Sequence, residues 1–475
     1  RTLNERIMLL DGAMGTQIQR RRLKPKQFHG EEFKTCKGDL WTCNDILCLT
    51  APAIVEEIHL SYLEAGADII ETNTFNATSV ALADYGLQDV AYRLNKAAAE
   101  IATKAAKKVS EDSGMQRFVA GAIGSTNRTC SVSPSVENPT FRNITFDELV
   151  ESYTEQIKGL IDGGVDMLVI ETVFDTLNAK AAIYSCLDYF EEIGQDYPLM
   201  ICGTIVDASG RTLSGQTIGG FYTSVRHANA FAYGINCGLG AAQMRPFLKQ
   251  LATLGEGYIS CYPNAGLPNA MGEYDEGPEE MAEALRDFME RGLVNLIGGC
   301  CGTTPEHITA MKRVSQNYKP RCPSPGDKHF KLSGLESLKY KKAVHPFLNI
   351  GDRCRTVTDR TFRSLVEQQC LEDVVAIVKN QIKAGAQLIA LNFDGGMEAS
   401  TQMSMYCNLL ASDPECCSVP FVIDSTSFDV LEAGLKCTQG KCIANSISLQ
   451  NGEECMKEDA LKITRYGAAV VVLAR

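Results

Sequence analysis

One arrangement of apolar and polar positions recurs five times along the chain. In each copy an amphipathic segment leads to a glycine, and a short, wholly apolar stretch follows within a few residues. In the first copy Ile54, Val55, Ile58 and Tyr62 fall three or four residues apart, so they share one face of a predicted helix. The recurrent glycines are Gly66, Gly164, Gly292, Gly385 and Gly467. A glycine suits the C-terminus of a helix because it tolerates a positive φ.

Apolar strands that alternate with helices indicate a parallel sheet covered by helices on both faces. The first 318 residues contain eight such strands, at 7–11, 67–72, 117–124, 165–172, 198–205, 230–237, 258–264 and 293–300. Eight β/α units in a region of this length are typical of a (β/α)8 TIM barrel. A doubly wound open sheet is the alternative, but no glycine-rich phosphate-binding fingerprint follows the first strand. We therefore predict an α/β fold in which residues 1–318 form a TIM barrel.

A second α/β pattern follows the first. Residues 319–334 are polar, contain prolines and lack periodicity, so they are predicted to be a linker. Within 335–475 five further strands are predicted, at 347–353, 388–394, 420–426, 442–448 and 468–475. This region is predicted to be the N-terminal part of a second β/α barrel. Because five parallel strands leave an open edge, we expect additional chain to complete that barrel.

Composition and charge exclude several classes of protein. The chain has 475 residues and a formal net charge of −12, which disfavours nucleic acid and anionic membranes as partners. No apolar run approaches the roughly 18 residues of a membrane span, and the N-terminal stretch lacks the features of a signal peptide. The 19 cysteines are too sparse for a disulfide scaffold and indicate a reducing compartment. We predict a cytoplasmic protein that binds neither nucleic acid nor membrane.

Candidate functional residues lie at the predicted strand ends, because the active site of a TIM barrel is at the C-terminal ends of its strands. The strand-end residues are Asp11, Glu71, Asn73, Glu171, Asn236, Cys237, Asn264, Cys300 and Cys301. Cys300 and Cys301 are adjacent and stand between glycines in the stretch LIGGCCGTTPEH, 296–307. Such a pair is compatible with a vicinal disulfide, with two buried thiols or with two ligands of one metal ion.

The position of a third cysteine favours the metal. Cys237 ends the sixth predicted strand and Cys300 and Cys301 end the eighth, so the three can converge over the barrel mouth. The six histidines form no HxxxH pair, which disfavours histidine ligands. Three thiolates with one open position are typical of catalytic zinc. A second vicinal pair, Cys416–Cys417, has no flanking glycines and is predicted to have no such role.

A zinc ion held by three cysteine thiolates suits a fourth sulfur from a substrate. Metal binding lowers the pKa of a thiol and leaves the thiolate able to attack carbon. The predicted chemistry is therefore alkyl transfer to a substrate thiol. Without a defined substrate, Asp11 and Glu171 are equally well explained as carboxylates that face water.

Seven motifs carry a resemblance to a known family: LDGAMGTQIQ, ETNTFNAT, ETVFDTLNAKAA, DASGRTLSGQT, GINCGLG, YPNAGLPNAMGEYD and GGCCGTTPEHI. They resemble the homocysteine-binding module of cobalamin-dependent methionine synthases, and the likeness spans 4–318. The resemblance implies a homocysteine S-methyltransferase that forms methionine, with zinc held by Cys237, Cys300 and Cys301. In related betaine-using enzymes, acids that match Asp11 and Glu171 bind the amino group of homocysteine, which implies the same role for these two residues here. The methyl group would come from methylcobalamin carried on another module or chain.

The region 335–475 resembles the start of the methyltetrahydrofolate-binding module of the same family, in SGLE, NIGDR, IDSTSF, EAGLKCTQGKCIANSIS and RYGAAVVV. The resemblance implies that Asp424 and Asn445 hydrogen-bond the pterin. Arg355 stands where the family has an asparagine, and Ala390 stands where it has an acid. Since unmade buried hydrogen bonds weaken binding, we predict that this chain alone transfers no methyl group from methyltetrahydrofolate.

Two alternative functions remain at this point. One is a self-contained homocysteine methyltransferase that uses betaine or a methylsulfonium donor, although the folate-like segment argues against it. The other is a truncated protein that binds zinc and homocysteine without catalysis.

Overall fold

The computed structural model describes residues 2–36, 38–326, 329–344, 347–396 and 398–474. Its largest sheet has eight parallel strands: β1 (Met8–Leu9), β2 (Ile69–Glu71), β3 (Phe118–Ile123), β4 (Met167–Val173), β5 (Leu199–Gly203), β6 (Ala232–Gly240), β7 (Tyr258–Asn264) and β8 (Leu296–Ile297). The strand order is β1-β8-β7-β6-β5-β4-β3-β2, and a parallel bridge between Leu10 and Ile69 brings β1 beside β2. The ring is therefore nearly closed, and the prediction of an eight-stranded α/β barrel is confirmed.

Helices surround this sheet. They are α1 (Thr2–Glu5), α2 (Met14–Arg20), α3 (Pro25–His29), α4 (Leu47–Thr50), α5 (Pro52–Ala65), α6 (Ser79–Leu82), α7 (Ala91–Ser113), α8 (Phe146–Asp162), α9 (Thr176–Ile193), α10 (Ile218–Val225), α11 (Ala241–Leu254), α12 (Pro278–Glu290) and α13 (Pro305–Ser315). In α5 the predicted face is buried at Val55, Ile58 and Tyr62, and the helix ends at Gly66 with a φ of 114°. The other four recurrent glycines also have positive φ values.

Membrane-spanning potential is low among the described helices. None of them is by itself both long and apolar enough to cross a bilayer. Taken together, Asn44–Thr50 and Pro52–Ala65 are long and apolar enough for a membrane span. The chain bends by 114° between these two segments.

The inside of the barrel is filled by apolar side chains that alternate along the strands. Ile69 of β2 and Val169 of β4 belong to this inner cluster, together with Leu10 and Tyr262. Side chains two residues apart on a strand point to the same face. Glu71 and Glu171 stand two positions after Ile69 and Val169, near the C-terminal ends of β2 and β4. Their side chains therefore point inward at the barrel mouth.

The second unit begins with a hairpin. Strands β9 (Phe330–Ser333) and β10 (Ser337–Tyr340) pair antiparallel, so the predicted linker 319–334 ends in a strand that its polar pattern did not indicate. Five parallel strands follow in chain order: β11 (Ile350–Arg355), β12 (Leu388–Asn392), β13 (Phe421–Asp424), β14 (Ile443–Ser448) and β15 (Ala469–Leu473). Their helices are α14 (Arg360–Glu367), α15 (Leu371–Lys383), α16 (Ala399–Ala411), α17 (Phe428–Leu435) and α18 (Glu453–Arg465). The prediction of a second, five-stranded parallel sheet is confirmed, whereas the domain limits at 318 and 335 stay a prediction.

The two units are joined by polar contacts, some of which are buried. Lys180 of α9 is 2% exposed, and its Nζ donates to the backbone oxygens of Thr438 at 3.0 Å and Gly440 at 2.9 Å. Arg465 of α18 pairs with Asp188 of α9 at 2.6 Å. Burial lowers the pKa of Lys180 to about 8. The second sheet is therefore held against α9 of the barrel by specific hydrogen bonds.

Candidate metal and substrate site

Three cysteine side chains meet at the mouth of the barrel. The Sγ atoms of Cys237, Cys300 and Cys301 all lie within 4.8 Å of one another, and those of Cys237 and Cys301 are 3.8 Å apart. All three are free thiols. Within the described parts of the chain, no other trio of His, Cys, Asp or Glu side chains comes this close. The structure thus brings together the three cysteines that the sequence analysis singled out.

Local backbone geometry explains how adjacent cysteines reach one point. Cys237 has a φ of 56°, a positive value that is uncommon for a residue with a side chain. Beyond the end of β8, the Cys300 amide donates to the Pro263 carbonyl at 2.8 Å, and the Cys301 amide donates to Asn264 Oδ1 at 3.1 Å. Gly302 follows with a φ of 84°, and a Cβ there would stand 2.3 Å from Tyr274 Cβ. The chain can bend at this position only because it has a glycine.

Hydrogen bonds within the cluster shift the pKa values of its thiols in opposite directions. Hydrogen bonds from Cys237 and Cys300 lower the pKa of Cys301 to about 3. Hydrogen bonding to Cys237 and Cys301, together with burial, raises the pKa of Cys300 well above its ordinary value. The opposite shifts arise from hydrogen bonding among the three sulfurs. A cation is needed before all three sulfurs can ionise together.

The two predicted substrate-binding carboxylates lie beside this cluster. Asp11 is 5% exposed and its Oδ2 accepts from the Glu71 amide at 3.1 Å, while Glu171 is 7% exposed and its Oε2 accepts from Asn236 Nδ2 at 3.2 Å. Burial raises the pKa of Glu171 to about 7, and the charge on Cys301 contributes to the shift. Burial also raises the pKa of Asp11. Both acids are therefore placed where a cationic group would stabilise their charged forms.

A third acid completes this surface. Glu71 was identified only as a strand-end residue, and no role was assigned to it. It follows the inward-facing Ile69 by two positions, and burial with the charges of Glu171 and Asp11 raises its pKa well above the ordinary value. The signal that could have found it is this alternation along β2.

At the corresponding end of the second sheet, the polar side chains form hydrogen bonds and an ion pair with one another. Asp424 Oδ1 accepts from Asn445 Nδ2 at 2.9 Å, and Asp424 Oδ2 lies 3.1 Å from the Arg355 guanidinium. Asn392 Nδ2 donates to Asp424 Oδ2 at 3.2 Å. Arg355 therefore forms an ion pair with Asp424, the carboxylate that the resemblance assigns to pterin binding. Ala390 is buried in an apolar cluster of the same sheet.

Comparison with known proteins agrees with both units. The family model for homocysteine S-methyltransferase matches residues 8–315, and the model for pterin binding enzymes matches 352–475. The oxidized form of the homocysteine methyltransferase MmuM from Escherichia coli is similar in fold, with 22% identity and a TM-score of 0.50 over 65% of this chain and 95% of that one. The metallated form has 22% identity and a TM-score of 0.49 over 65% and 96%. Since the first family match covers more than half of the chain, the protein belongs to the homocysteine S-methyltransferase family and is a methyltransferase.

Proposed function

We propose that the chain methylates the sulfur of homocysteine to give methionine, with one zinc ion held by Cys237, Cys300 and Cys301. The spacing of the sulfurs is the observation that carries this proposal. Thiolates at about 2.3 Å from a tetrahedral zinc ion lie about 3.8 Å from one another. The Sγ atoms of Cys237 and Cys301 are 3.8 Å apart. The cluster therefore fits zinc with little rearrangement, and its fourth position is free for the substrate.

The roles of the protein groups follow from their charges. Zinc bound here would lower the pKa of the homocysteine thiol, so that the sulfur reacts as a thiolate. Asp11 and Glu171 would accept hydrogen bonds from the amino group of the substrate. Asn236 holds the Glu171 carboxylate through its Nδ2 and lies next to Cys237 in the chain. This link fixes the position of the amino-group site relative to the sulfur site.

The reaction forms one bond and breaks one. The homocysteine sulfur bonds to the methyl carbon, the bond between that carbon and its donor breaks, and its electron pair stays with the donor. The thiol proton leaves to solvent. We propose methylcobalamin, carried on another module or chain, as the immediate donor. The pterin-binding match beside the homocysteine unit supports this choice, because the resemblance pairs these two modules in enzymes that use cobalamin, although we do not expect this chain alone to bind methyltetrahydrofolate.

A donor comparison tests the proposal. The purified, zinc-loaded chain is mixed with homocysteine and, in separate reactions, with methylcobalamin, betaine or S-methylmethionine, and methionine is measured. We expect methionine from methylcobalamin only, and none after the zinc is removed. Methionine from betaine or S-methylmethionine alone would support a self-contained methyltransferase. A lack of turnover with every donor would contradict the proposal and support a binding protein.

A further inference from the structure

We propose that Glu71 is a third carboxylate that binds the amino group of homocysteine, alongside Asp11 and Glu171. This inference rests on the function proposed above and adds a residue to the substrate site. Three observations carry it: the direction in which Glu71 points, an unpaired oxygen on its carboxylate, and the concentration of negative charge around it.

The strand pattern places Glu71 on the same surface as Glu171. Ile69 and Val169 both lie in the inner cluster of the barrel, and Glu71 and Glu171 follow them by two positions on β2 and β4. Alternate strands of a TIM barrel contribute side chains to the same interior layer. The two carboxylates therefore belong to the uppermost layer of the barrel, directly beneath the mouth.

The hydrogen-bond partners of the three acids differ. Glu171 accepts from Asn236, and Asp11 accepts from the Glu71 amide. Glu71 Oε1 is buried, and no described residue donates a hydrogen bond to it. A buried acceptor without a donor is costly, and native structures rarely keep one without a reason. A donor supplied by a ligand would give Glu71 a partner.

The charge of the layer indicates which kind of donor is missing. Glu71, Asp11 and Glu171 repel one another, and this repulsion together with burial raises the pKa of Glu71. A neutral donor would leave that repulsion in place, whereas a cation would relieve it. A primary ammonium group carries one positive charge and three N–H donors. It therefore offers one donor to each of the three carboxylates.

A pair of ligands isolates this contact. Homocysteine and 4-mercaptobutyrate share the thiol and the carboxylate, but only homocysteine has the amino group. Calorimetric titration of both is carried out on the zinc-loaded chain, on Glu71→Gln and on Glu273→Gln, an exposed acid on the β7–α12 segment that serves as the matched control. Because hydrogen bonds between charged groups are strong, Glu71→Gln should weaken homocysteine binding by about tenfold to a hundredfold. The affinity for 4-mercaptobutyrate and the zinc content should be unchanged, as should both affinities in Glu273→Gln.

The outcomes separate this inference from the function on which it rests. If the unmodified zinc protein does not bind homocysteine, the proposed function fails. If the unmodified protein binds it and Glu71→Gln binds it equally well, or loses both ligands equally, only the role of Glu71 is overturned. Glu71→Asp keeps the negative charge on a side chain that is shorter by one methylene. Its affinity for homocysteine should lie between those of the unmodified chain and Glu71→Gln. This second variant provides the test if Glu71→Gln does not fold.

Discussion

The ends of the strands in the two sheets use polar residues in opposite ways. At the mouth of the eight-stranded barrel, three cysteine sulfurs lie within 4.8 Å of one another, and Glu71 keeps a buried oxygen without a donor among the described residues. At the end of the five-stranded sheet, Asp424 already contacts Arg355, Asn392 and Asn445. The barrel site therefore has an unmet hydrogen-bond acceptor, whereas the polar side chains at the end of the second sheet already contact one another. A motif that resembles a binding site is therefore weaker support for binding than a buried group that lacks a partner.

The two vicinal cysteine pairs show the same contrast. Cys300 and Cys301 lie beyond β8 and meet Cys237, whereas Cys416 and Cys417 are buried in a 3₁₀ turn before β13. Cys416 Sγ donates to the Val375 carbonyl at 3.9 Å. The second pair therefore behaves as two small core residues.

The largest expected effect separates these pairs. The double variant Cys300→Ala/Cys301→Ala should lose zinc and all methyl transfer, because two of three ligands are gone. The matched double variant Cys416→Ala/Cys417→Ala should retain one zinc per chain. Elemental analysis of the purified proteins measures both. Full zinc content in Cys300→Ala/Cys301→Ala would rule out the proposed site.

The second prediction concerns folate. We expect no measurable binding of methyltetrahydrofolate by the unmodified chain, since Arg355 occupies Asp424 and Ala390 provides no acid. The variant Arg355→Asn/Ala390→Asp should bind it more tightly than the unmodified chain, and Arg353→Asn, at an exposed neighbour, should not. Equilibrium dialysis measures all three. Tight, saturable binding by the unmodified chain would mean that Asp424 and Asn445 act together despite Arg355.

The third prediction concerns the substrate amine. Glu171→Gln should weaken homocysteine binding by about tenfold to a hundredfold, because it removes a charged acceptor. Zinc content should stay at one per chain. Calorimetry and elemental analysis on the same preparation provide the two readings. Loss of zinc in this variant would show that Glu171 supports the metal rather than the amino group.

The remaining prediction concerns stability at acidic pH. Burial, with contributions from Lys180 and Lys441, lowers the pKa of His227 to about 3, and burial lowers that of His59 to about 4. Below the ordinary histidine pKa the unfolded chain binds protons that the folded chain does not, so the free energy of unfolding falls as the pH decreases. From pH 7 to pH 5 each histidine should contribute a loss of about 2 kcal/mol.

Urea denaturation of His227→Gln tests this value. The variant should lose less stability between pH 7 and pH 5 than the unmodified chain. His29 of α3 is partly exposed, and His29→Gln should lose as much stability between pH 7 and pH 5 as the unmodified chain does. An equal loss in all three proteins would contradict the account of His227, which lies against Gly467 between the two units.

Much of the fold was predictable because its signals are local. Apolar runs after glycines located both parallel sheets, and strand-end position identified Cys237, Cys300 and Cys301. The hairpin Phe330–Tyr340 was not predictable in the same way, since part of its support comes from the barrel: the Thr217 amide donates to the Leu335 carbonyl at 3.0 Å. The pairing of Arg355 with Asp424 likewise depends on side-chain geometry between two strands. Such contacts have no signature in a single sequence.

X-ray absorption at the zinc edge tests the central claim most directly. The zinc-loaded chain should show three sulfur neighbours at about 2.3 Å, and saturation with homocysteine should raise the number to four. Methionine, whose sulfur carries no ionisable proton, should not produce this change. A count of three sulfurs that homocysteine leaves unchanged would contradict the account.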